Sequence, residues 1–291
     1  MRLIPLLPSL ILLSGCVAAQ PPRLELVPVA DFPARLAETS GLARWQQGFV
    51  SHNDSGNDAE LFVLDGEGSV TAHQSIAAGN RDWEDIAVRG KILYLADTGN
   101  NGGRRQDLNI LPLTAESTHF TALAPIPVRY AEQHNVQPPL YQHNFDAEAL
   151  TWVEDELWLL TKRWLDQQTD IYRLPPVSGE TGPLVAQPLT AQQRLNTDML
   201  VTGADYDANT QTLLLVGYSR SWFNRQAWLW LYPVRHGRVI EAGGRHFLLS
   251  HSGQFEGIAL GHDGLVYFTR EGRDTNLFRS LLPLARLLPD E

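Results

Sequence analysis

Short apolar segments with polar ends recur along the chain in a fixed order. The clearest pair starts with the acidic segment 82–85, continues through Ile86 to Val88, turns at Arg89-Gly90 and returns through 92–96 to Asp97. Apolar runs of this length, separated by a tight turn, are typical of a β-hairpin. Because paired strands of a hairpin are antiparallel, we expect the two acidic ends to lie side by side.

Four further units repeat this order of segments. Their first strands contain Ser40, Glu84, Glu148, Gly203 and Glu256, at successive spacings of 44, 64, 55 and 53 residues. Each unit has a second and a third apolar segment, and four units have a fourth, which in the third unit is 184–189. Four strands per unit at such a period indicate a β-propeller. We therefore predict an all-β fold, a single β-propeller of five four-stranded blades over residues 24–283.

The fifth unit ends after its third strand, at 277–280. The alternating segment 24–29 is the simplest source of the missing strand, and it would close the ring and cover the exposed strand edges. Six blades is the alternative, because the long segment 112–145 has room for a degenerate blade. Residues 284–291 are expected to form a short C-terminal tail.

The first 15 residues have the features of an export signal. Arg2 precedes the apolar run 3–13, which is too short to cross a bilayer as a stable helix. The run leads into Leu13-Ser14-Gly15-Cys16, which resembles the bacterial lipobox, whose cysteine carries acyl chains. We predict a signal peptide at 1–15, then lipidated Cys16 and a tether to residue 23. Ordinary signal cleavage near 18–20 is the alternative.

The residue after Cys16 indicates where the protein is located, and the net charge limits which partners it can bind. Val17, rather than aspartate, follows Cys16, which predicts a lipid anchor in the outer membrane with the domain facing the periplasm. Without residues 1–15 the chain has 276 residues, with 22 basic against 33 acidic side chains, a net charge near −11. Such an acidic protein lacks the clustered cations that nucleic acid requires. Cys16 is the only cysteine, which excludes disulfides and thiolate metal sites. We also expect the protein to be a monomer.

The polar ends of the strands are expected to meet at one mouth of the central channel. In a propeller the first strand lines the channel, and its start lies beside the end of the second strand. The first strands bring Glu84, Glu148 and Glu256, with Asp82, Asp85, Asp146 and Asp205 nearby. The ends of the second strands and their long polar loops bring the predicted ligand-binding residues Asp54, Asp97, Lys162, Arg163, Arg220 and Arg270.

Carboxylate oxygens at this density suit Ca²⁺ or another hard cation. We predict Glu84, Glu148 and Glu256 as metal ligands and, together with His52, as candidate catalytic residues. The alternative is that each acid caps backbone amides of a neighbouring blade or pairs with a nearby Lys or Arg. No nucleotide or organic cofactor is indicated, because the Gly-rich loop 99–105 lacks the Lys-Ser/Thr ending of a P-loop.

Two weaker signals favour structural explanations. The segment 205–209 resembles the start of a calcium loop, but Thr210 stands where that loop needs Gly, so a hairpin turn is favoured. The loop 99–105 has two arginines that suit a phosphate or carboxylate, but a flexible solvated loop is the better interpretation.

Five short sequence motifs resemble those of a known group of propellers. They are Glu-Thr-Ser-Gly-Leu (38–42), His-Asn-Asp-Ser-Gly (52–56), Asp-Trp-Glu-Asp-Ile-Ala (82–87), Ala-Asp-Thr-Gly-Asn-Asn (96–101) and Phe-Glu-Gly-Ile-Ala (255–259). They resemble a group of secreted bacterial propellers that is similar to the phytase-like esterases and the gluconolactonase-like propellers. The resemblance implies a Ca²⁺-associated, acid-lined channel mouth and hydrolysis of an ester or phosphoester.

Two functions follow as hypotheses. In the first, a membrane-anchored propeller binds Ca²⁺ and a small polar ligand at its acidic mouth and acts as a metal-dependent hydrolase. In the second, the propeller is a non-catalytic scaffold whose loop-rich face holds an envelope protein or a glycan.

Overall fold

The computed structural model describes residues 21–174, 187–221, 223–272 and 274–289. These residues form five sheets whose innermost strands contact one another in cyclic order around a central channel, so the fold is a five-bladed β-propeller. The alternative of six blades is wrong, because segment 112–145 supplies only strands of the second blade and a loop. The predicted signal peptide and Cys16 lie outside the described residues.

The blades follow one another in chain order, each built from its innermost strand outward. Blade I comprises Thr39–Trp45, Gly48–Asn53, Glu60–Leu64 and Val70–Ser75. Blade II comprises Trp83–Arg89, Ile92–Asp97, Asn109–Glu116 and Ile126–Tyr130. Blade III comprises Ala147–Val153, Glu156–Thr161, Thr169–Leu174 and Gln193–Leu195. Blade IV comprises Leu200–Asp207, Thr212–Tyr218, Gln226–Arg235 and Arg245–Ser252. Blade V comprises Phe255–Leu260, Leu265–Arg270, Leu277–Pro283 and Leu26–Ala30.

Short elements complete the described part of the chain. His119–Ala122 forms a hairpin with the third strand of blade II, and Arg238–Val239 does the same in blade IV. Single turns of 3₁₀-helix lie at Ala34–Leu36 and Glu241–Gly243, and an α-helical turn at Leu284–Leu287 follows blade V. Among the described residues no helix is long and apolar enough to cross a membrane.

The N-terminal segment closes the ring, as predicted. Leu26–Ala30 pairs antiparallel with Leu277–Pro283 and becomes the outer strand of blade V. Just before it, Arg23–Leu24 pairs parallel with Arg245–Ser252 at the edge of blade IV. The N-terminal segment therefore ties two blades together and covers two strand edges at once.

The outer strand of blade III is not the predicted one. Gln187–Leu189, which belongs to the predicted segment 184–189, pairs with the outer strand of blade II instead, and residues 184–186 lie outside the described residues. Blade III is completed by Gln193–Leu195, which pairs with Thr169–Leu174. An outer strand shows little of the alternation that marks buried strands, because only one edge and one face are covered, so the repeat pattern does not locate it.

Among the described residues, five large hydrophobic clusters each lie between two adjacent blades, and a smaller sixth cluster consists of Trp164, Leu200 and Tyr218. Trp83 lies between blades I and II, Trp158 between blades III and IV, and Phe255 between blades IV and V, and all three are fully buried. Both faces of the inner strands are therefore covered by protein. Polar side chains of the inner strands can therefore reach solvent or a ligand only at the strand ends. The candidate site lies at one set of these ends.

Candidate metal centre

Every innermost strand has a β-bulge near its start. The pairing with the second strand is irregular between Thr39 and Leu42, and at the matching point of each of the other four blades. A bulge adds unpaired residues and redirects their side chains. The residues within the bulges include Ser40, Glu84, Glu148, Thr202 and Glu256. The repeats predicted Gly203 at the matching position of blade IV. Thr202 occupies this position instead, because the extra residue of the bulge lies between Val201 and Gly203.

The bulges of blades I and IV carry hydroxyls that join neighbouring blades. Ser40 Oγ donates to the backbone oxygen of Glu84 at 2.7 Å, and Thr202 Oγ1 donates to that of Phe255 at 2.6 Å. The bulges of blades II, III and V carry Glu84, Glu148 and Glu256, which are all buried. The three glutamates therefore converge from three sides of the ring, as the repeats predicted.

The glutamates line a small cavity of about 130 Å³ at this mouth. At roughly 30 Å³ per water molecule, it has room for about four waters or a few-atom ligand with a bound ion. Its walls are formed by Ser40, Asp54, Glu84, Asn101, Tyr141, Glu148, Lys162, Trp164, Tyr218, Arg225, Gln254, Glu256 and Glu271.

Glu84 is the most unusual side chain of the cavity. It is 5% exposed, and no described residue donates a hydrogen bond to its carboxylate. Burial raises the pKa of Glu84 well above its ordinary value, and the neighbouring acids raise it further, above all Glu148 and Asp54. Gly99 provides the space for this carboxylate, since a Cβ at position 99 would overlap with Glu84 Oε1.

Two groups of carboxylates meet at Glu84. Asp54, Asp82 and Glu84 form one group, and Glu84, Asp146 and Glu148 form the other; within each, one ligand atom per residue lies within 4.8 Å of the others. Burial raises the pKa of Asp54 to about 7 and, with help from Asp146, that of Asp82 to about 6. Each group has the oxygen ligands and spacing that a hard divalent cation needs.

Asp146 is fixed in place by two donors. Its Oδ1 accepts from the backbone N–H of Asn100 at 2.5 Å, and its Oδ2 accepts from Trp164 Nε1 at 2.7 Å. Asn100 also donates from its side chain to the backbone oxygen of Phe145 at 2.9 Å. The loop between the second and third strands of blade II is thereby attached to the start of blade III, which positions Asp146 next to Glu84.

Lys162 supplies the positive charge of the cavity. Its Nζ lies 2.6 Å from Glu148 Oε2 and donates to the Tyr218 hydroxyl at 3.0 Å, and it lies 4.9 Å from the centre of the Trp164 ring. Burial by itself lowers the pKa of Lys162, but Glu148, Tyr218 and Glu256 raise it above its ordinary value. Lys162 is therefore a fixed cation that neutralises one of the carboxylates.

Glu256 occupies the same cavity but belongs to neither group around Glu84. Its Oε1 accepts from Gln254 Nε2 at 3.4 Å, and the same amide donates to Glu271 Oε2 at 2.6 Å. Burial and the charge of Glu256 raise the pKa of Glu271 to about 9. Gln254, Glu271 and Tyr141 are not among the predicted site residues, because they lie outside the positions that were selected for repeating from blade to blade.

Four of the predicted ligand-binding residues do not line this cavity. Asp97 pairs with Arg105 Nη2 at 2.7 Å, and Arg163 pairs with Asp166 and Asp170. Arg270 donates to the backbone oxygens of Ser252 and Thr275, and Arg220 is exposed. Only Asp54 and Lys162 of the predicted set lie in the cavity wall.

His52 is buried beneath the mouth rather than in the cavity. Its Nδ1 lies 3.0 Å from the backbone oxygen of Asn53, its ring packs edge-on against Trp83, and its Nε2 has no hydrogen-bond partner among the described residues. Burial lowers the pKa of His52 to about 4. The imidazole is therefore neutral and shielded from the ligand cavity.

Two acids that the sequence placed near the mouth serve the backbone instead. Asp85 accepts from the amides of Ile86, Leu150 and Ala204, which belong to three different blades. Asp205 accepts from the amides of Tyr206 and Leu260 and so joins blades IV and V. These carboxylates cross-link the channel wall and are not available as ligands.

Both of the weaker sequence signals are explained by local structure. Asp207 accepts hydrogen bonds from Asn209 and Thr210 and closes a hairpin turn in place of a calcium loop. The loop 99–105 is held by Arg105, which donates to the backbone oxygens of Gly99 and Asp97, so it is a structured support of the site and not a solvated loop.

Comparisons with known proteins support the fold. No protein-family model and no curated protein sequence matches the chain. The chain is similar to a solved glucose dehydrogenase with a TM-score of 0.52 and 10% identity, over 87% of this chain and 98% of that one. It is also similar to the soluble aldose sugar dehydrogenase of Escherichia coli, with a TM-score of 0.50 and 11% identity, over 88% and 98% of the two chains. At such low identity the likeness shows a shared propeller fold only.

Proposed function

We propose that the acidic mouth binds a divalent cation, Ca²⁺ in preference, together with a small polar ligand. The observation that carries this proposal is the buried carboxylate of Glu84, which has four other carboxylates around it and no donor among the described residues. Ionised acids this close in a buried site repel one another strongly unless a cation is bound between them.

The residues fit Ca²⁺ better than other metals. Ca²⁺ takes six to eight oxygen ligands in flexible geometry, with carboxylates binding through one or two oxygens and water completing the shell. The candidate ligands are five carboxylates at the starts of blades II and III and in the loop between the second and third strands of blade I, and the cavity has room for waters beside them. His52, the candidate nitrogen ligand that the sequence suggested, does not line the cavity.

A thermal-shift measurement tests the proposal. Protein stripped with a chelator should melt at a higher temperature after Ca²⁺ is added, because a ligand at a hundredfold excess over its Kd stabilises the fold by about 2.7 kcal/mol. For a domain of this size that is a shift of several degrees, at ~2–4 °C per kcal/mol. Glu84→Gln should abolish the shift, and the exposed control Glu154→Gln should keep it. An unchanged melting temperature in the unmodified protein would remove the proposal.

We further propose hydrolysis of a small ester or phosphoester as the reaction. A bound cation would polarise the carbonyl or phosphoryl bond, so that its carbon or phosphorus is more readily attacked, and would lower the pKa of a bound water. Lys162 offers a fixed positive charge for an anionic group of the ligand, with Tyr218 beside it. Glu256 is the cavity glutamate outside both cation groups, and burial raises its pKa towards the range in which a carboxylate accepts a proton efficiently.

Model substrates test this reaction. Purified protein with Ca²⁺ should cleave a small aryl phosphoester or ester, and Glu256→Gln should reduce kcat by roughly 100-fold or more, the usual contribution of a general base. The same variant should keep its Ca²⁺-dependent melting shift. Full activity in Glu256→Gln would exclude Glu256 as the base. The sugar oxidation performed by proteins of the same fold is the competing reaction, and an assay with glucose and an electron acceptor should give no turnover.

A scaffold role is the second candidate, because large apolar side chains are exposed on loops of the same face. Leu140, Leu165 and Phe223 are 57%, 56% and 103% exposed, and they follow the strands that end at the mouth. Such exposure favours an envelope protein as the partner. In a pull-down from envelope extract, Phe223→Ser should lose any protein that the unmodified propeller captures. Cleavage of a model ester together with no captured protein would exclude this role.

We also propose that the domain is anchored by lipid on Cys16 in the outer membrane and faces the periplasm. The support is the lipobox-like segment 13–16 and the valine that follows it. Cells that express the full chain should incorporate labelled palmitate into it, and Cys16→Ser should release the domain into the soluble periplasmic fraction. An unlabelled protein would favour ordinary signal cleavage.

A further inference from the structure

We propose that the mouth holds two divalent cations, bridged by the carboxylate of Glu84. This inference rests on the proposed cation binding and goes beyond it in the number of ions and in the role of Glu84. In a single-ion site, Glu84 would be one ligand among several; in the two-ion site it is the ligand on which both ions depend.

The arrangement of ligands is the first argument. The two carboxylate groups share Glu84 and no other member: Asp54 and Asp82 complete one, and Asp146 and Glu148 complete the other. Because the groups share only Glu84, an ion placed within one group leaves two acids of the other group without a cation. A carboxylate with two oxygens can bind one ion with each, and two-metal sites with ions about 3.5–4 Å apart are common in enzymes that act on phosphate esters.

The free carboxylate of Glu84 is the second argument, and it is independent of the clustering. Glu84 is more than nine-tenths buried and receives no hydrogen bond from any described residue, so both of its oxygens are available. Its neighbours differ in this respect. Asp146 already accepts from Asn100 and Trp164, and Glu148 accepts from Lys162. The one acid that both groups share is thus the one without a protein donor.

Charge balance is the third argument. When ionised, the five acids of the two groups carry five negative charges, and Lys162, paired with Glu148, supplies one positive charge. The sum is −5 + 1 = −4, which two divalent cations neutralise. One divalent cation would leave two uncompensated negative charges in a mostly buried cavity, which is costly where water cannot screen them. The ion beside Glu148 should bind more weakly, because the Lys162 ammonium lies 2.6 Å from one of its ligands.

Equilibrium dialysis against Ca²⁺, followed by metal analysis, counts the ions on the full domain at saturation. We expect two Ca²⁺ per chain in the unmodified protein, none in Glu84→Gln, and one in each of Asp54→Asn and Glu148→Gln. The matched control Asp58→Asn, in the same loop as Asp54, and Glu256→Gln, in the same cavity but in neither group, should each keep two. Near-ultraviolet circular dichroism checks that each variant is folded.

The outcomes separate the two proposals. One Ca²⁺ in the unmodified protein overturns the two-ion inference but leaves the proposed cation binding intact, whereas no Ca²⁺ removes both. Two ions in Asp54→Asn and also in Glu148→Gln would overturn the assignment of ligands. Because Glu148→Gln leaves Lys162 without its partner and so risks misfolding, the double variant Glu148→Gln/Lys162→Met serves as a second test of that site, again with one ion expected.

Discussion

Glu84 differs from the other buried acids in what surrounds its carboxylate. Asp85, one residue later, accepts hydrogen bonds from backbone amides of three blades, while the carboxylate of Glu84 accepts none from the described residues and lies among other carboxylates beside Gly99. Adjacent acids in the sequence thus have opposite roles, one as a structural acceptor and one as a candidate ligand. The sequence Glu-Asp alone does not show which of the two acids is the structural acceptor, because these roles depend on which backbone amides the bulge leaves unpaired.

Gly99 provides a residue-scale test of the site. We expect Gly99→Ala to weaken Ca²⁺ binding at least tenfold, because the new Cβ would occupy the space of the Glu84 and Asp82 carboxylates. Gly102→Ala, three residues later in the same loop, is the matched control, since a Cβ there meets nothing within 4 Å. Calorimetric titration with Ca²⁺ measures both affinities. Equal affinities in the two variants would mean that the cation binds elsewhere.

The acids also predict how stability varies with pH in the absence of a cation. Burial raises the pKa of Asp54 to about 7, so the folded state holds a proton that the unfolded state has released between pH 4 and 7. The contribution of Asp54 to stability is therefore lost as the pH rises through this window. The contribution of His52 has the opposite sign: it increases stability as the pH rises from 4 to 6.5, because burial lowers the pKa of His52 to about 4.

Urea unfolding with a chelator present, at pH 4.5 and at pH 7, measures the contribution of Asp54 to this pH dependence. Relative to the unmodified protein, Asp54→Asn should lose less stability as the pH rises, by up to a few kcal/mol, since one pKa unit corresponds to about 1.4 kcal/mol. Asp58→Asn should follow the unmodified protein. A steeper loss of stability in Asp54→Asn would contradict the raised pKa of Asp54.

At the scale of elements, the bulge is the feature that builds the site. The repeated pairs Ser-Gly, Glu-Asp and Glu-Gly at 40–41, 84–85 and 256–257 mark it in three blades, which is why the sequence located Glu84 and Glu256. In blade IV the sequence was read one residue late, at Gly203, because a bulge shifts the register by a residue without any change in composition. The ion pairs of Arg163 and Asp97 were unpredictable for another reason, since they depend on which loops the blades bring together.

The bulge of blade V allows an element-scale prediction. A Cβ on Gly257 would lie 2.5 Å from Thr269 Oγ1 and 2.9 Å from the backbone nitrogen of Leu42 in the next blade. We expect Gly257→Ala to lower the free energy of unfolding by about 1–3 kcal/mol, the usual cost of overpacking. Gly66→Ala, whose nearest neighbour would be the backbone oxygen of Gln47 at 3.6 Å, should be close to neutral. Urea denaturation gives both values, and similar stabilities would show that the inner strands are less tightly packed than the structure indicates.

At the scale of the whole molecule, the two ends of the channel differ in chemistry. The opposite end opens into a larger cavity of about 780 Å³, lined in part by Leu42, Ile86, Leu150 and Trp152, and neither carboxylate group lies there. The acidic end is narrower and is framed by the long loops. The repeat period was sufficient to predict the five blades and the N-terminal closure. It could not predict the full ligand set, because Asp82 and Asp146 differ from the structural acids Asp85 and Asp205 only in their contacts.

Anomalous diffraction from crystals soaked in Mn²⁺ would show whether a cation binds at Glu84. Mn²⁺ prefers oxygen ligands, as Ca²⁺ does, and it gives an anomalous signal that protein atoms lack. We predict strong peaks in contact with the Glu84 carboxylate, one towards Asp54 and Asp82 and one towards Asp146 and Glu148. A map without a peak at Glu84, in crystals whose surface carboxylates do bind the ion, would contradict the account.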